Sequence, residues 1–361
     1  MKEQLISKVL FGVAACIFLY LPASHAQVMG SSHPFIEKEI ACWNYHSAIV
    51  QDNYTIYIHV PPGYDTTKIK YPVLYITDGD WDKNDAINSF NMLRQDYITR
   101  EAVIVCIGYG EGPNQRNRDF EPNGGGPRFL AFIEKELIPF VESKYRVTDD
   151  RTLSGYSYGG RFATYVLFNR PGLFNNICIG APGTSIDLVP SAKRYFASHK
   201  DLKTRIFLGV GSYEEETASN MQQFKKYLLG QNCKDLEVEF RYVLQASHGA
   251  AKPKVIQDGV EFAFCKTHKQ VNVSADELEK YTGTYVFTHD TSQKVTFYLE
   301  NGKLYLKDSG WSYEFVPFTK DGGFFVHGME KSEMYFRTEN GKMYELYIPY
   351  QEKPLRFDKV N

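Results

Sequence analysis

No stretch of this sequence is long and apolar enough to form a membrane span. The longest uncharged apolar run, Val9–Leu21, covers 13 residues, against the ~20 a helix needs to cross the hydrocarbon. An excess of one charge is also missing: 41 Lys and Arg stand against 43 Asp and Glu, a net of −2, and no basic run stands out. Nucleic acid and anionic membrane surfaces are therefore not expected partners. Cysteine is scarce, six in all, with no C-x-x-C and no Cys/His spacing of the kind that holds a metal. What remains, 43% hydrophobic and 23% charged residues over 361 positions, describes an ordinary globular protein with room for one large and one small domain. Tyr and Phe are abundant, at 26 and 25, and much of that excess lies after residue 270.

Residues 1–26 read as an export signal. Lys2 and Lys8 give a basic start, the apolar run follows, and Ser24-His25-Ala26 puts small residues at −3 and −1 of a cut before Gln27. Val13-Ala14-Ala15-Cys16 offers a rival, a lipoprotein processing site, but the apolar stretch continues through Ile17–Leu21, where a mature lipoprotein turns polar. The protein is thus expected to be exported, periplasmic or extracellular, with no transmembrane span. Without Cys16, an odd set remains: Cys42, Cys106, Cys178, Cys233 and Cys265. At least one thiol then stays unpaired unless it bonds another chain. Cys106 and Cys178 read as buried small hydrophobes, and a Cys233–Cys265 disulfide is left open.

From residue 27 to 269 strand-like and helix-like segments alternate, the pattern of an α/β sheet. Strands are expected at Tyr54–Val60, Val73–Thr77, Ala102–Ile107, Leu153–Tyr156, Ile177–Gly180, Ile206–Val210 and Val238–Val243. Their continuous apolar runs imply cover on both faces. Phe129, Phe132, Ile133, Leu137 and Phe140 mark an amphipathic helix between them. The character changes after Asn272. Residues 273–361 read as an all-β module with a short helical turn at Asp276–Tyr281, seven short strands, and hairpins at Asn301-Gly302 and Asn340-Gly341.

Gly155-Tyr156-Ser157-Tyr158-Gly159 fits G-x-S-x-G, the strand–turn–helix elbow that lifts a serine clear of a sheet. Such a hydroxyl needs a base, and the base needs an acid, in the chain order Ser, acid, His. His248 follows the last expected strand and takes the base position. Glu214 is favoured as the acid because it stands nearest a strand end, with Glu215 and Glu216 as alternatives. The backbone N–H groups of Tyr158 and Asp80 are the expected oxyanion donors, which requires the Asp80 carboxylate to point away. Arg116, Trp81 and Tyr156 are expected to line the substrate pocket; an Arg116–Asp119 pair that merely holds the loop is the rival for Arg116.

Together Tyr71–Gly79, Arg116-Asn117-Arg118-Asp119-Phe120-Glu121-Pro122, Phe129–Tyr145, the elbow and Ser247-His248-Gly249 resemble the putative-esterase family of α/β hydrolases. That family takes in esterase D, feruloyl and acetyl-xylan esterases, mycolyltransferases and enterobactin-type siderophore esterases. The R-x-x-D-x-x-P segment and the His-Gly pair look most like the siderophore branch. The resemblance covers roughly residues 36–268 and implies an α/β-hydrolase sheet, Ser157 as nucleophile, His248 as base, and no metal or organic cofactor. Family members often carry His before the serine and Leu after it, where this chain has Tyr156 and Tyr158. The β module is an addition, similar to small barrel-like domains appended to some exported hydrolases. The expected activity is hydrolysis of a siderophore-type or carbohydrate acyl ester through an acyl-enzyme, the partner being a small-molecule or glycan ester. The alternatives are an acyltransferase with the same triad and an inert glycan-binding or surface-binding protein.

Overall fold

The computed structural model describes residues 41–66, 68–95, 98–184, 187–288, 290–308, 310–339, 342–348 and 355–360. The expected export signal at 1–26, with Cys16, and the expected Asn340-Gly341 turn lie outside the described residues. Contacts divide the described chain into two units: 41–91 with 101–264, and 92–100 with 265–360.

The first unit is built on an eight-stranded sheet with order β1-β2-β4-β3-β5-β6-β7-β8. Its strands are β1 Ala41–Ser47, β2 Asp52–His59, β3 Tyr71–Ile76, β4 Val103–Gly108, β5 Val147–Tyr156, β6 Asn176–Gly180, β7 Thr204–Gly211 and β8 Leu236–Val243. β1 and β2 pair antiparallel, β2 pairs antiparallel with β4, and β4-β3-β5-β6-β7-β8 are parallel. Every residue of β4 and β6 is buried, which only a sheet covered on both faces gives. Its helices are α1 Gly79–Gln95, the short α2 Arg116–Asp119, α3 Gly126–Phe132, α4 Ile138–Lys144, α5 Tyr158–Asn169, α6 Leu188–Phe196, α7 Glu215–Leu229 and α8 His248–Phe264. A π turn at Ile133–Leu137 joins α3 to α4. The expected α/β-hydrolase sheet is therefore present, with β1 added at its antiparallel edge.

The second unit closes into a barrel of eight antiparallel strands, from β9 Gly283–Phe287 and β10 Asp290–Glu300 through β16 Leu355–Val360, with β9 sealing between β16 and β10. One more strand forms than the sequence suggests, because β16 supplies the partner that β9 needs for closure. Alternate residues point inward, and Tyr285, Phe297, Leu304, Phe315, Phe324, Phe336, Leu346 and Phe357 fill the interior. The Asn301-Gly302 turn takes positive φ at both residues, 50° and 76°, as a two-residue hairpin of this kind requires. The short helix α9 runs over Ala275–Glu279 and is fixed by a reciprocal capping box between Ser274 and Glu277. No disulfide joins Cys42, Cys106, Cys178, Cys233 or Cys265 among the described residues, so the Cys233–Cys265 bridge is not formed. No helix among the described residues is long and apolar enough to cross a membrane.

Candidate active site

The site lies where the parallel strands end. β5 stops at Tyr156, and Ser157 takes φ 57° and ψ −118° before α5 begins. A non-glycine residue held there costs about 1–3 kcal/mol and persists only where its surroundings enforce it. They do so here by close approach. A Cβ on Gly155 would stand 2.2 Å from the Gly159 carbonyl oxygen, and one on Gly159 would stand 2.2 Å from Thr77 Oγ1. The Ser157 N–H donates to the Gly180 carbonyl on β6 at 2.8 Å. Ser157 is left partly exposed at the N-terminus of α5, where the first N–H groups have no intrahelical partner.

A second turn of the same kind faces it from β3. Asp78 has φ 56°, and α1 starts at Gly79, with the N–H groups of Trp81 and Asp82 both donating to the Asp78 carbonyl. The Asp80 N–H precedes that first helical bond, as an oxyanion donor must. Its carboxylate is turned away as expected: it accepts from Tyr57 Oη at 2.7 Å, the Tyr109 N–H at 2.6 Å and the Gly110 N–H at 3.0 Å.

His248 opens α8, and its Nδ1 lies 2.7 Å from Glu214 Oε1. The other carboxylate oxygen of Glu214 accepts from the Gly211 N–H at 3.3 Å, which fixes the acid against the end of β7. Glu215 and Glu216 enter the first turn of α7 and are exposed, so the structure brings Glu214 and not its neighbours to the histidine. No hydrogen bond joins Ser157 Oγ to His248 among the described residues. The histidine is instead tied to the residue before the serine: Tyr156 Oη donates to the His248 carbonyl at 2.6 Å, and the two rings stand 5.0 Å apart. Tyr156 is only 4% exposed and its hydroxyl is occupied, which corrects its expected place among the substrate-lining residues.

Arg116 belongs to the site, but its partner is not Asp119. Its Nε and Nη2 bind the two oxygens of the buried Asp78 at 2.7 and 2.9 Å. Burial raises the Asp78 pKa, against the pull of Arg116. Asp119, fully buried, accepts instead from Arg118, Tyr54 and Tyr109, and so anchors the turn that carries Arg116. The Arg116 guanidinium lies 5.4 Å from the Trp81 ring and 5.1 Å from the Tyr158 ring. Both rings are exposed.

Sequence reasoning missed one ion pair. Lys252 Nζ, one turn beyond His248 on α8, donates at 2.6 Å to Asp82 of α1, a residue buried beside the turn that follows β3. Burial pushes the Asp82 carboxyl up to about 6, with Lys252 opposing the shift. The i,i+4 spacing of His248 and Lys252 was the available signal, because it puts both on one helix face.

The sheet and the elbow define an α/β hydrolase. More narrowly, the chain belongs to the esterase family described as "Putative esterase", whose model matches residues 47–248, more than half of the chain. Among curated proteins it is 27% identical over 183 residues to the siderophore enterobactin esterase of Emericella nidulans, a match covering 42% of this chain and 60% of that one. It is 25% identical over 227 residues to the ferri-bacillibactin esterase BesA of Bacillus subtilis, covering 54% and 78%. The chain thus spans less than two thirds of the fungal relative's length. Among solved structures, the BES protein from Bacillus cereus superposes with TM-score 0.57 at 24% identity, covering 65% of this chain and 98% of that one. An IroE-like serine hydrolase from Shewanella oneidensis gives TM-score 0.57 at 22% identity, covering 67% and 85%. These two likenesses establish the fold.

Proposed function

We propose that the protein is a serine-dependent hydrolase of siderophore-type esters that works through an acyl-enzyme. The observation that carries this reading is the 2.7 Å Glu214–His248 pair, set at the strand ends beside a serine in a left-handed turn. Ser157 Oγ attacks the ester carbonyl. His248 takes its proton at Nε2, the nitrogen left free when Nδ1–H donates to Glu214. The Tyr158 and Asp80 N–H groups receive the oxyanion; losing one such donor typically costs ~10²–10³ in kcat. As the intermediate collapses, the bond to the alcohol oxygen breaks and His248 returns the proton to that oxygen. Water then repeats the sequence on the Ser157 ester and releases the acid.

The substrate class follows from the rim. With Nε and Nη2 on Asp78, Arg116 keeps Nη1 for a ligand. A guanidinium between two exposed aromatic rings suits a planar, anionic aryl group such as a catecholate. Relatives that carry siderophore-esterase names support the same class. Export with loss of residues 1–26 belongs to this proposal, and N-terminal sequencing of secreted protein reads it.

The test is a panel of p-nitrophenyl, feruloyl, acetyl-sugar and catechol-siderophore esters, run with a fluorophosphonate probe. Labelling at Ser157, absent in Ser157→Ala, and the highest kcat/KM on the siderophore ester are expected. An unlabelled intact protein overturns the serine mechanism, and preference for the sugar or feruloyl ester overturns the substrate class.

A further inference from the structure

His248 has two attachments of different kinds. Its imidazole is held through Nδ1 by Glu214, which fixes how the ring is turned. Its main chain is held through the carbonyl by Tyr156 Oη at 2.6 Å. Glu214 and residues 244–247 before His248 lie in two loops that bond to each other, and Glu214 is also held to Gly211 at the end of β7. The Ser212 N–H donates to the Val243 carbonyl, the Tyr213 N–H to the Ala246 carbonyl, and the Gln245 N–H to Ser212 Oγ. Gln245 has φ 54° and Leu244 is 78% exposed. None of these bonds reaches β5, the strand that leads into Ser157.

Tyr156 is different, because it belongs to a central strand. It is the last residue of β5, paired in register with Gly180 of β6 and joined to Ser157 by one peptide bond. Room for its ring is built in: a Cβ on Gly180 would stand 2.5 Å from Tyr156 Cδ2. Burial raises the phenol pKa, so the hydroxyl stays a donor at all working pH. Among the described residues, this bond ties the histidine directly to the strand that carries the serine.

We infer that Tyr156 is a positioning residue for the general base: its hydroxyl, bonded to the His248 carbonyl, sets the distance between imidazole and Ser157 Oγ. The inference rests on the serine–histidine reading above. It concerns alignment and not binding, so it acts on kcat. A displacement near 1 Å at a reacting pair costs up to ~10²-fold.

Tyr156→Phe keeps the ring and removes the bond. A kcat fall of ~10–100-fold on a p-nitrophenyl ester is expected, with KM within about twofold and fluorophosphonate labelling slowed by a similar factor. Gly180→Ala retains the hydroxyl but pushes the ring from its place. It should lower kcat in the same way and add little to Tyr156→Phe, and it serves where that variant does not fold. Tyr156→Phe with kcat within about twofold of the parent, or with a raised KM and unchanged kcat, overturns the inference. Failure of the underlying reading looks different: the unaltered protein would not label, or Ser157→Ala would retain full turnover.

Discussion

Both units of the chain bury aromatic cores, but they differ in the aromatics they leave beside charge. In the barrel they are its filling: Tyr285, Phe297, Phe315, Phe324 and Phe336 pack edge to face, with Phe297 and Phe336 at 4.9 Å and 75°. In the α/β unit a second set is left in water at the strand ends, where Trp81 is 56%, Tyr158 41% and Tyr213 68% exposed. Interior packing explains the first set fully, since small barrels are closed by their own side chains. The second set has no such account, because burying an aromatic is worth more than exposing it. The aromatic excess therefore marks the site only where rings stand beside charge at the end of a sheet.

The sharpest break in the comparison is at the serine. Ser157→Ala and His248→Ala should each remove nearly all esterase activity, a loss approaching ~10⁶-fold in kcat where a triad acts as a unit. Glu214→Gln should cost ~10⁴-fold by the same logic, and Glu215→Gln almost nothing. Steady-state kinetics on a p-nitrophenyl ester reads all four, and a damaging Glu215→Gln would reassign the acid. The barrel should behave in the opposite sense. Phe297→Ala should destabilise the barrel unit by about 3–5 kcal/mol while leaving small-ester turnover within about twofold. Calorimetry paired with the activity assay separates the two effects, and lost turnover in a still-folded variant would mean that the barrel shapes the site.

Arg116→Met tests the rim more gently. It should lower kcat/KM on a catechol-siderophore ester ~10–50-fold and on p-nitrophenyl acetate by less than about threefold, because only the first carries the anionic ring. Equal losses on both esters would assign Arg116 to the fold, through Asp78.

How much of this was legible in the sequence followed from range. The elbow is local: two glycines and a serine within five positions state the turn, and the structure supplies the collisions that demand them. The barrel's alternation and its Asn301-Gly302 turn are local too. Of the barrel's strands β16 was missed, a short segment in which Leu355 and Phe357 alternate with Arg356 and Asp358, and in the other unit the edge strand β1 was missed as well. The acid was within reach for a related reason: Glu215 and Glu216 continue into a helix and Glu214 does not. Spacing offers Asp119, three residues on, as a rival partner for Arg116. Its actual partner Asp78 lies 38 positions back, in the turn after β3, the strand next to β4 in the sheet order. Asp82 and Lys252, 170 positions apart, meet for the same kind of reason. Tyr156 was placed in the pocket because it adjoins Ser157, whereas the space over Gly180 takes its ring inward.

Buried carboxylates extend the comparison to charge. Asp290 and Glu277 of the barrel unit sit in water, where serine donors hold their pKa values below the usual carboxylate range. Asp82 of the site goes the other way, to about 6 from 3.8, because burial outweighs the attraction of Lys252. A carboxyl whose folded pKa is raised contributes stability that is complete below its unfolded value and is lost as pH climbs through the folded one. Here the window runs from near pH 4 to somewhat above 6. Asp82→Asn removes that titration, and Lys252, 27% exposed, can still reach water. The variant should therefore gain on the parent protein across the window by on the order of 2 kcal/mol, measured by urea unfolding at pH 4 and 7.5. A difference that stays flat with pH would show that the Lys252 pair compensates the burial of Asp82 in full. The low-dielectric site would then hold its acid at no cost, just as the barrel holds its exposed ones.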